Sequence, residues 1–370
     1  MGRSRILRAL TKKSFIATAG LLLVFWNECL HLFLISLTWS VLVDESPTGE
    51  PRATRILLVA DPQMIGYHNE PPFVGPIARW DSDRYLRNGF HAALIQSQPD
   101  ALFFMGDLFD EGIESSEAEF EETVRRFKSI FTLPKNAERV FIAGDNDVGG
   151  EAEIVLKPLV DRFRRTFVNV LDMRSLGLHN LALQELNIFN NELFNISKPE
   201  ASDRLLMLLS HSPVIRSYGA PSKTAWERGA DLILSAHDHT AEVYTRSRSG
   251  SAHSTFDRAS IDDAYVLSAR VGKRQPALEI MSPTCSYRMG VPRMGYGLLT
   301  LRPVQGSTTG ELELETKYTV LWLPGRYPQL FSYVALLLWL GAAAMHTILY
   351  SLLKRFIMLR GTRTFKRNIV

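Results

Sequence analysis

Cysteine is nearly missing from this sequence: Cys29 and Cys285 are the only two among 370 residues. Cys29 falls in a long apolar block and Cys285 in the middle of the chain, so no disulfide can form within the middle region. A middle of about 285 residues without staples must rely on its own core, and that length is ample for one. Charge is missing in two places. Residues 330–353 contain no Asp, Glu, Lys or Arg, and residues 14–43 contain a single acid, Glu28. Each block can cross a bilayer core, which takes roughly 20 apolar residues. No clear small-residue cleavage site follows the first block, whose apolar stretch is also long for a cleaved leader, so an uncleaved anchor is expected. No internal repeat is visible.

What charge there is sits outside these blocks. Arg3, Arg5, Arg8, Lys12 and Lys13 precede the first, and Lys354, Arg355, Arg360, Arg363, Lys366 and Arg367 follow the second. The inner flanks are poor in base, with Asp44 and Glu45 on one side and Arg326 on the other. The positive-inside rule then places both termini in the cytosol and the middle across the membrane. The expected organisation is a basic tail over 1–13, an anchor over 14–43, a luminal domain over 44–329, a transmembrane helix over 330–353 and a basic tail over 354–370. The formal net charge of +3 conceals this: the eleven basic tail residues and Glu28 leave the middle at −7. An acidic middle argues against nucleic acid as a partner. Asn27, Glu28 and His31 are costly inside an apolar segment. They mark either a contact with a partner helix or lipid headgroup, or a kink or interfacial dip. Asn195-Ile-Ser197 is a glycosylation sequon that this topology would expose.

In the middle region, short apolar runs repeatedly end in residues that bind metals. Residues 55–60 end in Asp61-Pro62-Gln63, and Ala101–Met105 ends in Gly106-Asp107. Residues 139–143 end in Gly144-Asp145-Asn146-Asp147. Leu205–Leu209 ends in Ser210-His211, and Leu232–Ser235 in Ala236-His237-Asp238-His239. Such runs read as buried strands delivering side chains to one edge of a sheet, where ligands bind in open α/β folds. Between them, a helix is predicted from Asp81, another from the Ser116/Glu119 capping box, and a third near 154–167. That rhythm of strand and helix implies a parallel sheet. Further on, residues 241–246 read as a strand and 246–263, polar and rich in Ser and Arg, as a mobile loop. Residues 277–281, 297–301 and 311–320 read as a closing antiparallel set, with a turn over 306–310. A loop over 66–76, holding His68 and Glu70, could rim a pocket.

Carboxylates suit hard divalent ions and imidazole suits borderline ones. Asp61, Asp107 and Asp145 supply the first, and His211, His237 and His239 the second. Gln63 and Asn146 offer amide oxygens. An Asp shared by two ions holds them roughly 3.5–4 Å apart, clamping a phosphate and making hydroxide available near neutral pH. The ordered set Asp61-x-Gln63, Gly106-Asp107-x-x-Asp110, Gly144-Asp145-Asn146-Asp147, His211 and His237-x-His239 resembles the calcineurin-like metallophosphoesterase family. That family's pattern is Asp-x-His, Gly-Asp-x-x-Asp, Gly-Asn-His-Asp/Glu, His and Gly-His-x-His. The flanking apolar blocks and the Gly-Asp-Leu-Phe-Asp-Glu-Gly stretch further resemble a branch of ER and Golgi membrane phosphodiesterases. That branch removes ethanolamine phosphate from a mannose of glycosylphosphatidylinositol (GPI) anchors, using manganese, and promotes ER export of anchored proteins.

The resemblance implies an α/β fold: a four-layer α-β-β-α sandwich flanked here by two transmembrane helices. It implies two divalent ions, most simply Mn2+, and as partners the membrane and a GPI glycolipid or GPI-anchored proteins. Asp61, Gln63, Asp107 and His239 would face the first ion. Asp107, Asp145, His211 and His237 would face the second, with Asp107 bridging. Asn146 and His211 would be the catalytic residues, and Asp110 and Asp147 would orient ligands. Three departures stand out. Gln63 replaces a histidine ligand and tilts its site towards manganese or magnesium. Asp145 replaces asparagine and adds charge. Asn146 replaces a histidine and cannot titrate near neutral pH, and loss of a general acid costs roughly 10²–10⁴ in rate. Two readings therefore stand: a phosphodiester hydrolase, and a weakened member of the fold acting as a glycolipid- or cargo-binding trafficking factor. A phosphodiesterase for another lipid or nucleotide headgroup is a third.

Overall fold

A computed structural model describes residues 16–42, 52–134, 137–150, 154–187, 192–197, 204–217, 220–248, 256–261, 265–305 and 311–367. The basic tail over 1–13, most of the linker before residue 52 and the turn over 306–310 lie outside them. The chain divides into two compact units: His31–Pro324, and the residues up to Leu30 together with those from Gly325 onward.

The helices in chain order are α1 (Ile16–Ser36), α2 (Gly75–Ser97), α3 (Glu117–Ile130), α4 (Asp145–Val148), α5 (Lys157–Thr166), α6 (Ala220–Arg228) and α7 (Arg326–Arg367). The strands are β1 (Thr54–Val59), β2 (Ala101–Met105), β3 (Glu138–Ile142), β4 (Leu181–Asn187), β5 (Glu192–Asn195), β6 (Leu205–Leu209) and β7 (Leu232–Ser235). They continue with β8 (Glu242–Arg246), β9 (Phe256–Ser260), β10 (Leu267–Val271), β11 (Ala277–Met281), β12 (Gly295–Gln305) and β13 (Leu312–Trp322).

Within His31–Pro324 the strands form two sheets, ordered β10-β13-β12-β1-β2-β3 and β5-β4-β6-β7-β11-β8-β9. β1, β2 and β3 run parallel, as do β4, β6, β7 and β11. The central strands β2 and β6 are apolar and buried along their whole length because both faces are covered. The pleat sorts their side chains. Ile56, Leu58, Phe103, Met105, Met207 and Leu209 meet in the core shared by the two sheets. On the outer face of the first sheet, Phe104 stacks on Phe141 and meets Phe127 and Phe131 of the α3 region. Leu206 and Leu208 turn outward to Ala225 of α6. Two sheets with helices on their outer faces give the expected four-layer sandwich.

Several expectations change. The helix expected from Asp81 begins at Gly75, because Pro76 in the first turn has no N–H to leave unsatisfied. The stretch 246–263 is not simply a loop: Phe256–Ser260 pairs antiparallel with β8. Residues 277–281 do not join the closing antiparallel set. β11 sits in the other sheet, parallel to β7 and antiparallel to β8, while β12, β13 and β10 complete the first sheet. α6, β5 and β10 are additional to the expected elements. α6 opens Ala-Pro-Ser and its pattern is short, and β10 alternates buried Leu267 and Val271 with polar residues in between.

α1 and α7 are long and apolar enough to cross a membrane, over Ile16–Ser36 and Arg326–Ile357. α7 runs beyond the span expected over 330–353, in both directions. In the smaller unit, the polar cluster of the first block coincides with a π-helical turn, Trp26–Leu30. Inserting an extra residue per turn rotates side chains out of register. Asn27 there donates to Ser332 Oγ at 2.8 Å, and Arg326 donates to Glu28 Oε1 at 3.1 Å and Gln329 Oε1 at 2.7 Å. Tyr333 also donates to Glu28. Asn27 and Glu28 thus combine a local distortion with a contact to the chain's own second apolar helix.

Candidate metal centre

Strand order explains how residues distant in sequence converge. β1, β2 and β3 are adjacent and parallel, so Asp61, Asp107 and Asp145 leave at the same sheet edge. β6 and β7 are adjacent in the second sheet and deliver His211 and His237. Asp107, Asp145, His211 and His237 offer one ligand atom each within 4.8 Å of one another. His211 Nε2 lies 3.1 Å from Asp145 Oδ1, 3.4 Å from Asp107 Oδ1 and 3.9 Å from Asp61 Oδ1. His237 Nδ1 lies 3.1 Å from Asp145 Oδ1.

The backbone is forced into this arrangement. Asp61, Gln63, Asp107, His237 and His239 all have positive φ, between 38° and 71°. Only two other non-glycine residues among those described, Leu42 and Gln98, share it, so the strain is concentrated where ligands are presented. Glycines admit the close approach. Gly106, at φ 94°, packs against the His211 ring, and a Cβ on Gly144 would overlap the Asp107 carboxylate.

Each side chain then has a definite setting. His211 Nδ1 sits 2.8 Å from the Met105 carbonyl. A carbonyl only accepts, so Nδ1 carries the hydrogen and Nε2 is turned to the carboxylates as a lone pair or a second N–H. Burial works against a charge on His211, yet Asp107, Asp145 and Asp61 outweigh it and raise its pKa well above the ordinary value. Asp61 is fully buried, which pushes its carboxyl well up; His211 opposes this and Asp107 adds to it. Asp145 is held low despite burial, by His211 and His237. His239 is half-buried, and burial lowers its pKa against the pull of Asp107.

Both carboxylate oxygens of Asp61 are buried without a hydrogen-bond partner. Leaving them so costs several kcal/mol, on the order of 1–3 or more for each unmet group. A cation beside Asp61 resolves that cost, and the surrounding set of carboxylates and imidazoles is the donor chemistry divalent metals take. The residues therefore fit a metal. Gln63 and Asn146 are part of the same niche: Gln63 Nε2 donates to Asp107 Oδ2 at 3.0 Å and Asn146 Nδ2 to the same oxygen at 2.7 Å. The Asn146 N–H donates to Asp107 Oδ1 at 3.0 Å.

Behind these lies a supporting layer. Asp147 accepts from Leu108 N, Phe109 N and Gly144 N at 3.2, 3.1 and 3.0 Å, tying the Asp107 loop to the Asp145 loop. Its burial and the neighbouring Asp107 raise its pKa to about 7. For Asp110, burial and the neighbouring Glu111 raise the pKa to about 6. Three supports were not read from the sequence. Glu111 accepts from Tyr67 N, His68 N and Asn69 N at 2.6–2.8 Å and so fixes the rim loop. Buried Glu279 accepts from Val214 N and Ile215 N, just after His211. Thr284 donates to the Asp61 carbonyl at 2.8 Å. A buried acid in a central strand, as Glu279 is, was the available signal. Arg288 pairs with Glu70 at the rim, and Arg293 lies over the Trp322 ring, 4.0 Å from its centroid.

A family model described as calcineurin-like phosphoesterase matches residues 54–241, which carry all of the converging side chains. A Metallophosphoesterase 1 homolog of Drosophila melanogaster is 36% identical over 95 residues, covering 26% of this chain and 25% of that protein. Metallophosphoesterase 1 of Danio rerio is 28% identical over 161 residues, covering 40% of each chain. These matches thus span well under half of those two relatives. Cell division control protein 1 of Saccharomyces cerevisiae is 26% identical over 348 residues, covering 83% of this chain and 68% of that one. Among solved structures, a 5'-nucleotidase precursor from Thermus thermophilus aligns over 78% of this chain and 59% of its own, at a TM-score of 0.35 and 12% identity, too distant to bear on the site. With the matched segment taking in more than half of the chain and the two-sheet fold around it, the chain belongs to the calcineurin-like phosphoesterase family.

Proposed function

We propose that the protein is a metal-dependent phosphodiesterase of the ER and Golgi membranes that removes ethanolamine phosphate from a GPI-anchor mannose and so promotes export of anchored proteins. The observation that carries the hydrolase reading is the buried convergence of Asp61, Asp107, Asp145, His211 and His237, with both Asp61 oxygens unmet. The two candidate spans support a membrane location, and their basic outer flanks support cytosolic termini with a luminal site. The GPI substrate rests on the resemblance of the motifs and on the relatives named Metallophosphoesterase 1.

Asp61, Gln63, Asp107 and His239 would hold one ion and Asp107, Asp145, His211 and His237 the other; Gln63 in place of imidazole favours Mn2+. When bound, such ions polarise the phosphoryl group and activate water. The chain's own residues do the rest. Met105 fixes the His211 tautomer, and Asp147 holds the two loops that carry Asp107 and Asp145 in register. Asn146 presents an amide N–H that can donate to a phosphoryl oxygen but delivers no proton to the leaving alkoxide. The test is metal content and turnover of a model diester by the full chain in detergent with manganese supplied. Bound metal with cleavage is expected, and Asp107→Ala should lose both. Full activity in that variant would sink the mechanism.

One observation favours the binder reading: Gln63 and Asn146, neither of which can titrate, each donate an amide N–H to Asp107 Oδ2, so no proton donor stands at either position. On the hydrolase reading the natural chain already turns over, and Gln63→His with Asn146→His raises the rate, by up to roughly 10²–10⁴-fold. Bound metal without turnover, followed by activity in the doubly substituted chain, would establish the binder instead.

A further inference from the structure

Phe73, Val74, Ile77 and Trp80 are 92%, 52%, 67% and 63% exposed. At the entry and first turns of α2 their spacing of one, four and seven residues puts them on one side of the helix. The opposite side is the buried one, through Tyr85, Leu86 and Phe90. Four large apolar side chains together in water is a feature that marks a binding surface. Polar groups flank them in a particular way: Arg84 lies over the Trp80 ring, 5.1 Å from its centroid. Arg84 itself pairs with Asp81 at 3.3 Å, so it braces the Trp80 ring, and tryptophan is the residue enriched at the boundary between lipid headgroups and acyl chains.

The position of α2 within its unit identifies the occupant. The last part of the N-terminal apolar helix, His31–Ser36, packs against α2. Trp39, just after it, donates from its indole to the Trp322 carbonyl at 2.8 Å. Tyr85 of α2 donates to the carbonyl of Pro324 at 2.9 Å, two residues before α7 starts. Within this unit, the end of the N-terminal apolar segment and the last residues before α7 thus both lie against α2. Trp80 and Ile77 lie about 7.5 and 12 Å further along the helix axis. The exposed stripe therefore lies on the same helix that holds both connections to the apolar segments, within about two to three turns of Tyr85.

We infer that the Phe73–Trp80 stripe is an interfacial element that rests in the headgroup–acyl boundary of the same bilayer that holds α1 and α7. This inference rests on those helices spanning the membrane. Its consequence is for substrate access. The stripe is reached from Gln63 by the short loop that Glu111 clamps at Tyr67, His68 and Asn69. Docking the stripe would hold the rim of the metal centre at the lipid surface, suiting a phosphodiester carried on a membrane-embedded lipid over a soluble one.

The test uses the full chain in nanodiscs of phosphatidylcholine doped with a phosphatidylcholine that bears a doxyl quencher near the headgroup. Cys29→Ser removes the exposed thiol, Cys285 is buried, and Phe73→Cys takes an environment-sensitive fluorophore. A label at exposed Lys223, through Lys223→Cys, serves as the aqueous control. The label at position 73 should be blue-shifted and quenched several-fold more by the doxyl lipid than the control. A blue shift without doxyl quenching would mean that protein, such as a second copy, covers the face and would overturn the inference. So would a label indistinguishable from the control in a chain that stays in the membrane through alkaline carbonate. Carbonate release with the label still quenched would remove the spans while keeping the docking face; release with an aqueous label would remove both.

Discussion

The residues at the metal centre are individually unfavourable. Five of them occupy left-handed backbone, at about 1–3 kcal/mol each, and neither buried carboxylate oxygen of Asp61 has a hydrogen bond. Their residue types were legible in the sequence because each follows an apolar run. The strain was not, since a positive φ at Asp or His leaves no compositional trace. Away from the site, Glu185 carries a similar conflict. It is buried in β4 with Arg164 no nearer than 3.7 Å, and burial lifts its pKa from 4.5 to about 7. The folded chain binds the extra proton between those values. The stabilising contribution is therefore complete below pH 4.5 and lost as pH rises to about 7. Glu185→Gln should flatten thermal stability across that window and raise it near pH 8, by roughly 1–3 kcal/mol. Melting curves of the detergent-solubilised chain at the two ends of the window check this.

At the scale of elements, local signals held where the chemistry is local. Ser116 accepts from the Glu119 N–H and the Glu119 carboxylate accepts from the Ser116 N–H, the reciprocal cap that starts α3. The hydroxyl and N–H of Ser116 keep Glu119 low, at about 2. Ser116→Ala should cost about 1 kcal/mol, read as a lower melting temperature with metal binding unchanged, because α3 supports the sheet from outside. Where pairing depends on what a partner strand offers, the sequence misled. Phe256–Ser260 is polar, and it becomes a strand only because β8 presents an edge to it. Ala277–Met281 is apolar like its later neighbours, and nothing within it says that it pairs with β7 across 40 or more residues of chain.

For the whole molecule, the metal centre is the place where both sheets meet, so metal and fold should be coupled. Asp61, Asp107 and Asp145 crowd one niche, and a divalent ion relieves their repulsion. Adding manganese to the chelated chain should raise the melting temperature, and a hundredfold excess over Kd is worth about 2.7 kcal/mol. Asp107→Ala should abolish that shift. A melting temperature insensitive to metal in the unsubstituted chain would mean that the niche does not bind it.

The sequence alone determined the apolar blocks, the alternation of strand and helix through β3, and the candidate ligand residues, because each follows from a short window of composition. Tertiary structure decided which sheet each late strand joins, that Glu111, Glu279 and Thr284 support the centre, and that Asn27 and Glu28 meet the second apolar helix. These depend on contacts between segments far apart in the chain, where the partner's position, not the residue's own neighbourhood, sets the free energy.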